Sequence, residues 1–212
     1  CPVCGRPTQI HEDNGVKALY CVNPECQAKR IKGFSLFVSR DAMNIDGLSE
    51  ATLEKFVDAG FLREFADLFC LERHREQILS MEGFGEKSYD NLQASLKRAK
   101  DTTMARFLYG LGISGIGLAN AKVLCRAFDY DFEKLRHGTR EEFEEIEGIG
   151  PVIADSLLAY FQSEQKNAEV DRMLELVTFH DEMPSADEQV LGGKTFVITG
   201  SVAHFANRGE AK

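Results

Sequence analysis

Two groups of residues in this chain have types and spacings that do chemistry. The first is cysteine: Cys1-x-x-Cys4, then sixteen residues, then Cys21-x-x-x-x-Cys26. Two close pairs of thiols, each at a short turn, bring four sulfurs to the corners of a tetrahedron about 2.3 Å from a central Zn²⁺. Gly5 suits the turn after Cys4, because a residue free to take positive φ lets backbone amides face sulfur. Three chemistries compete for this spacing. Four cysteines close a site and leave no open position for substrate, which favours structural over catalytic zinc. Disulfides fit a secreted chain, but no leader is present, and Cys70 and Cys125 would be left over in helical patterns, where both read as core residues. A redox or iron–sulfur role is the third. Residues 1–30 hold no sizeable apolar core, so a structural zinc would supply much of that unit's folding free energy.

The second group is glycine. Gly115 and Gly117 flank Ile116 and are followed at once by a helical pattern, and the same grammar surrounds Gly47, Gly83 and Gly148 at separations of 36, 32 and 33 residues. A constant period of this kind marks one supersecondary unit used four times. In the fourth copy, Thr139 and Glu142 form a capping box that opens a short helix. Gly148-Ile149-Gly150 then makes a tight turn in which glycine is free to take positive φ at either end. Pro151 sits in the first turn of the next helix, and Ile153, Leu157, Leu158 and Phe161 recur at helical spacing. Each unit is therefore helix, hairpin, helix. Ile116 and Ile149 are expected to point inward and pin their turns.

A helix that begins at a glycine turn presents unpaired N–H groups and the positive end of its dipole, which together make an anion site. One such turn needs no more than a chain reversal to explain it. Four at one period match the repeating phosphates of a polymer better than a single nucleotide. Two cofactor loops are excluded by residue: no Gly-Lys-Ser/Thr follows Gly117, and the dinucleotide fingerprint lacks its third glycine and its preceding strand.

These motifs need elements to hold them. The chain has 212 residues, 43% of them hydrophobic, and a formal charge of -9. That charge argues against gripping polyanions by net electrostatics but leaves local basic clusters and backbone amides. Lys29-Arg30-Lys32, Lys97-Arg98-Lys100 and Lys122 with Arg126 are such clusters, each ordinarily a solvated face. No apolar run approaches the roughly 20 residues that span a bilayer, so a soluble, cytoplasmic chain with no membrane partner is expected. Cys1 at the first position and a strand-like Thr195 to Thr199 close to the last are read as signs of a piece of a longer polypeptide. The expected class is mainly α: a Cys4 zinc finger over 1–30, four helix-hairpin-helix units over 31–182, a linker over 183–190, and a truncated α/β segment over 191–212.

The order of these parts resembles the C-terminal half of the bacterial NAD⁺-dependent DNA ligases: zinc finger, helix-hairpin-helix domain, then the opening of a BRCT domain. The motifs that carry the resemblance are "CPVCG" with "CVNPECQAK", "FLYGLGISGIGLANAKVL", "EIEGIGPVIADSL" and "LGGKTFVITG". The resemblance implies that Cys1, Cys4, Cys21 and Cys26 hold zinc. It implies that the turns Gly83-Phe84-Gly85, Gly115-Ile116-Gly117 and Gly148-Ile149-Gly150 engage the backbone of nicked duplex DNA. In the first unit Ser49 replaces the second glycine, which points to a packing role with Ser49 capping the next helix. Lys87, Lys122 and Arg126 matter if DNA is the partner and are dispensable in a protein scaffold. The family's adenylated lysine lies in a Lys-x-Asp-Gly motif that does not occur here. The resemblance therefore implies a catalytically inactive, DNA-holding piece of a monomeric, nucleoid-associated enzyme, whose NAD⁺ and Mg²⁺ bind elsewhere. The rival reading is a non-enzymatic repair or recombination subunit with tandem hairpins.

Overall fold

The computed structural model describes residues 1–13 and 15–180; the strand and loop expected from Leu191 onward lie outside them. The first element is an antiparallel hairpin of β1 (Thr8–Asp13) and β2 (Val16–Cys21), with Thr8 opposite Cys21 and Ile10 opposite Leu19. It has no core of its own. Ile10, Val16, Leu19 and Tyr20 are all more than half exposed, and the first buried hydrophobic residue in the chain is Cys26.

Cys26 is also the N-cap residue of α1 (Gln27–Val38), and Ile31, Phe34, Phe37 and Val38 carry that helix into the main core. Residue 30 lies inside α1, so the cysteine unit and the helical body share that helix. The body follows as α2 (Glu50–Asp58), a 3₁₀ helix (Phe65–His74), α3 (Arg75–Leu79), α4 (Glu86–Ala99), α5 (Met104–Gly110), α6 (Leu118–Ala127), α7 (Phe132–Arg136), α8 (Arg140–Glu144), α9 (Pro151–Phe161) and α10 (Glu164–Leu174). One continuous apolar cluster runs from Phe34 to Val177. Aromatic rings tie its parts, with Phe37 stacked on Phe65 at 4.4 Å and Phe107 edge-on to Phe132 at 5.6 Å. Cys125 is fully buried as expected, whereas Cys70 is only half-buried on the 3₁₀ helix.

Residues 31–180 are not wholly helical. Strand β3 (Asp101–Thr102) pairs in parallel with β4 (Thr178–Phe179). Lys100 accepts from the Thr178 amide at 2.7 Å, Thr102 accepts from the His180 amide at 3.1 Å, and the His180 ring meets the Asp101 carboxylate at 2.7 Å. Phe179 is held between Phe107 and Phe132. Two residues per strand give no periodicity to read, and the partner lies far along the chain.

Two local features of the fourth unit carry predictions. Thr139 caps α8 with its hydroxyl on the Glu142 amide at 3.3 Å, and Glu142 reaches back to the Thr139 amide at 2.8 Å. The amide of Thr139, and then its hydroxyl, hold the Glu142 carboxyl below its usual range. A depressed carboxyl stabilises the fold above its unfolded value, and the contribution is lost as pH falls through the folded one. Thr139→Ala should cost about 1 kcal/mol in urea denaturation at pH 7. The difference from wild type should shrink below about pH 4, near the ordinary Glu value. The second feature is Gly138, which is buried: a Cβ there would stand 2.7 Å from Phe143 Cζ and 3.0 Å from Phe128 Cζ. Phe143 is 1% exposed and has no room to withdraw. Gly138→Ala is therefore expected to destabilise by about 1–3 kcal/mol through overpacking, measured by thermal melting.

Candidate nucleic-acid interface and metal centre

The four glycine turns share one geometry. The first glycine of each takes the left-handed region, with φ of 89° at Gly47, 90° at Gly83, 79° at Gly115 and 89° at Gly148. The middle residue then folds back, its amide donating to the carbonyl three residues earlier: Phe84 to Met81, Ile116 to Ile113, Ile149 to Ile146. The last position is extended and serves as N-cap residue of the following helix, with φ of -130° at Gly85, -81° at Gly117 and -91° at Gly150. Of the two ends at which glycine is free to take positive φ, only the first uses that freedom. Ser49 adopts the same capping conformation, with φ of -72°, and its hydroxyl accepts from the Thr52 amide at 3.1 Å.

The second glycines do a different job. A Cβ at Gly85, Gly117 or Gly150 meets nothing within 4 Å, so these positions face open space directly in front of the helix N-termini. The glycines that open the second, third and fourth turns are exposed as well, while Ile116 and Ile149 are 5% and 3% exposed and Phe84 is half-buried. Of the expected contact residues, the glycines, Lys87 and Lys122 reach solvent. Ile116 and Ile149 hold the turns from inside, so any anion contact there passes through the neighbouring amides.

The third position of each second helix was not singled out from sequence and proves to lock the turns. Thr52 and Ser88 bond back to the cap position, with Ser88 Oγ accepting from the Gly85 amide at 2.9 Å, and Asn120 Nδ2 donates to the Gly115 carbonyl at 2.9 Å. A polar residue three after the cap is the signal that could have found them. The fourth unit has Ile153 there instead, and a Cβ on Gly115 would lie 3.1 Å from Ile153 Cγ1. The third turn therefore packs on the fourth unit. The first turn packs on the second in the same manner: Gly47 sits against Leu92, Lys55 donates to the Glu82 carbonyl, and Phe56 meets Phe84 at 5.5 Å. The first two turns line one cavity of about 310 Å³.

The units differ electrically. Lys122 and Arg126 stand exposed on α6, which carries no acidic residue, and Lys87 lies at the start of α4. The fourth turn is flanked by exposed Glu144, Glu145 and Glu147, and Arg140 is held by Glu144 at 2.9 Å and Asp155 at 2.5 Å. Pro151 also removes one N–H from the start of α9, and Val152 beside it is 78% exposed.

The Sγ atoms of Cys1, Cys4, Cys21 and Cys26 all lie within 4.8 Å of one another. Cys1 and Cys26 are 3.8 Å apart and Cys4 and Cys21 3.5 Å, far beyond a disulfide bond and close to the edge of about 3.8 Å of a tetrahedron with 2.3 Å metal–sulfur bonds. None of the four is joined in a disulfide in this structure. Gly5 takes φ of 68° and donates to the Cys1 carbonyl at 2.9 Å, closing the first turn; Asn23 accepts from the Glu25 amide at 3.2 Å and shapes the second. A hydrogen bond from the Arg6 backbone, with help from Asn23, draws the Cys4 thiol down to about 7, while burial pushes Cys21 up. Four sulfurs at this spacing can hold a metal ion such as zinc, and they fill all four tetrahedral positions.

The helix-hairpin-helix motif family matches residues 106–170, from α5 into α10, which are the third and fourth units. The chain is 50% identical over 212 residues to the DNA ligase of Lachnoclostridium phytofermentans and 48% identical over 212 residues to that of Ruminiclostridium cellulolyticum. It is 36% identical over 225 residues to the DNA ligase of Bacillus subtilis. Each alignment covers 100% of this chain and 32% of the relative. Along its whole length the chain is similar to one part of these bacterial DNA ligases, and it spans about a third of the length of the curated relatives it matches.

Proposed function

We propose that this chain is the DNA-holding portion of an NAD⁺-dependent DNA ligase that seals single-strand nicks in duplex DNA during replication and repair. The observation that carries the proposal is the repeated turn: a left-handed glycine, an inward-packed residue, and an open cap position at the start of a helix. Phosphates approach such a turn without meeting a side chain, and the amides read charge rather than base, so binding is independent of sequence. Gly83, Gly85 and Lys87, then Gly115, Gly117 and Lys122, then Gly148 and Gly150 are the proposed backbone contacts, with Phe84, Ile116 and Ile149 holding them in place.

In this reading the helical body over 31–182 grips the duplex, 183–190 is a linker, and 191–212 opens a BRCT domain. Cys1, Cys4, Cys21 and Cys26 hold a structural Zn²⁺ as thiolates; the ion fixes the chain's fold there and takes no part in bond formation. NAD⁺, Mg²⁺ and the adenylated lysine belong to other parts of the enzyme, so this chain alone forms no phosphodiester bond. The protein works as a cytoplasmic monomer on the nucleoid. No helix among the described residues is long and apolar enough to cross a membrane, which accords with that setting. Titration of nicked duplex into the chain in a gel-shift assay should give binding that weakens as salt rises. Absence of any shift at low salt would overturn the proposal.

A further inference from the structure

A groove of about 660 Å³ is lined by residues of the second cysteine turn, α1, α10 and the approach to the third hairpin. One wall is a face of α1, where Lys29, Lys32 and Leu36 recur at helical spacing; the other is the Lys166, Glu169 and Arg172 face of α10. Pro24 and Glu25 of the second cysteine turn border it, as do Arg63 and the Leu111–Gly112 approach to the third hairpin. Six Lys or Arg side chains and three Glu side chains line it, in a chain whose net charge is -9.

The acids are largely spoken for. Glu64 takes both guanidinium nitrogens of Arg172, and Glu169 accepts from Lys166 at 3.0 Å and from the Phe65 amide at 3.2 Å. Lys32 is paired at 2.8 Å with Glu50, the first residue of α2 behind the first turn. Lys29, Arg30 and Arg63 are exposed and make no ion pair among the described residues. A concave surface that collects unmatched cations in an acidic protein focuses positive potential toward an anionic polymer.

The groove is also continuous with the hairpins. Gly112 lies three residues before Gly115, and a Cβ there would touch Leu36 Cδ2 at 3.3 Å, so the floor of the groove and the third turn share one loop. Through Lys32 and Glu50 the same wall reaches the start of the first unit's second helix.

We infer that this groove is a second polynucleotide-binding surface, in which Lys29, Arg30 and Arg63 take backbone phosphates of the DNA strand that the third hairpin engages. The inference rests on the DNA-binding reading above and extends it to a surface built from the cysteine unit, α1 and α10. The contacts here are made by charged side chains, unlike those at the amide-lined turns, so they displace counterions and carry salt dependence.

The test compares two double charge reversals of equal net charge in the full chain: Lys29→Glu with Arg63→Glu, and Arg73→Glu with Lys97→Glu. Affinity for nicked duplex is measured by fluorescence anisotropy from 50 to 200 mM salt, with circular dichroism to confirm the helical fold. The groove variant should lose at least tenfold more affinity at 100 mM salt than the control, and the slope of log K against log salt should become shallower by about 2, roughly 0.9 for each lost phosphate contact. Lys29→Gln with Arg63→Gln should show the same change in slope and keeps the inference testable if the reversal disturbs folding. Equal slopes and affinities in groove and control variants, with wild type still binding, would overturn the groove while leaving the hairpin reading standing; no binding by wild type would instead remove the reading on which it rests. Acetylation of Lys29 supplies a second readout: protection by duplex DNA supports the inference, and protection by a polyglutamate peptide with none by DNA overturns it in favour of an acidic protein segment.

Discussion

Gly117→Asp is expected to weaken binding to nicked duplex by about fivefold to several hundredfold while leaving the protein as stable as before or slightly more so. Two like charges about 4 Å apart repel by about 1 kcal/mol in water and about 4 kcal/mol at the effective dielectric of a protein surface, which sets that range. The fold has no reason to suffer. Gly117 has φ of -81°, an ordinary value for any residue, and an added side chain meets nothing within 4 Å. Aspartate is among the better N-cap residues and should gain a few tenths of a kcal/mol over glycine. Loss of affinity with a raised or unchanged melting temperature separates a phosphate site from a mere chain reversal; unchanged affinity would leave the third turn a structural one. Gly115 is the poorer probe, since φ of 79° and the 3.1 Å approach to Ile153 would couple any substitution to the packing of the third unit on the fourth. The same change at Gly150 should cost less affinity than at Gly117, because the exposed glutamates and Pro151 already leave that turn the weakest anion site of the set.

If the four cysteines hold zinc as proposed, removing it should have the largest effect on structure. Treatment with a strong chelator, or Cys26→Ser, is expected to unfold residues 1–26 while the helical body keeps its fold. Structural zinc sites in small domains supply apparent binding free energies of about 10–16 kcal/mol, which here have no apolar burial to back them up. The hairpin leaves Ile10 at 65%, Val16 at 68% and Leu19 at 71% exposed, so little resists its opening once the sulfurs are released. The body differs, since Phe34, Phe37, Phe56 and Phe107 are each buried to within 1%. Amide hydrogen exchange should show β1 and β2 losing protection on chelation and α4, α6 and α9 retaining it. Persistent protection in β1 and β2 would show that the hairpin stands without metal.

The parts legible in the sequence are those whose determinants are local. Each glycine turn, Pro151 at the first position of α9, the Thr139–Glu142 box and Ser49 as a cap all arise within a few residues, and each forms as expected. The four cysteines were legible because metal geometry admits few spacings. The features that sequence reading missed depend on contacts between units. Nothing local to Gly115 announces Ile153, and nothing local to Asp101 announces Thr178. The division of labour within each turn was half-read: glycine at both ends suggested one cause, whereas the first supplies a left-handed backbone and the second supplies clearance. The basic run Lys29-Arg30-Lys32 looked like any solvated helix face until α10 and the third hairpin were seen to make it one wall of a groove.

The parallel pairing of β3 with β4 also governs the order in which the molecule can assemble. Asp101 and Thr178 stand about 77 residues apart, and the other anchors of α10, Phe65 with Glu169 and Glu64 with Arg172, join positions 104 and 108 residues apart. Each hairpin unit, by contrast, closes within one period of the repeat. Local contacts form early in folding, and distant ones wait until the chain between them has been gathered in. The hairpins are thus built on a fast clock and the strand pairing on a slow one, so changes at Thr102 and Phe179 should mainly speed unfolding, while changes at the glycine turns should reach the folding rate.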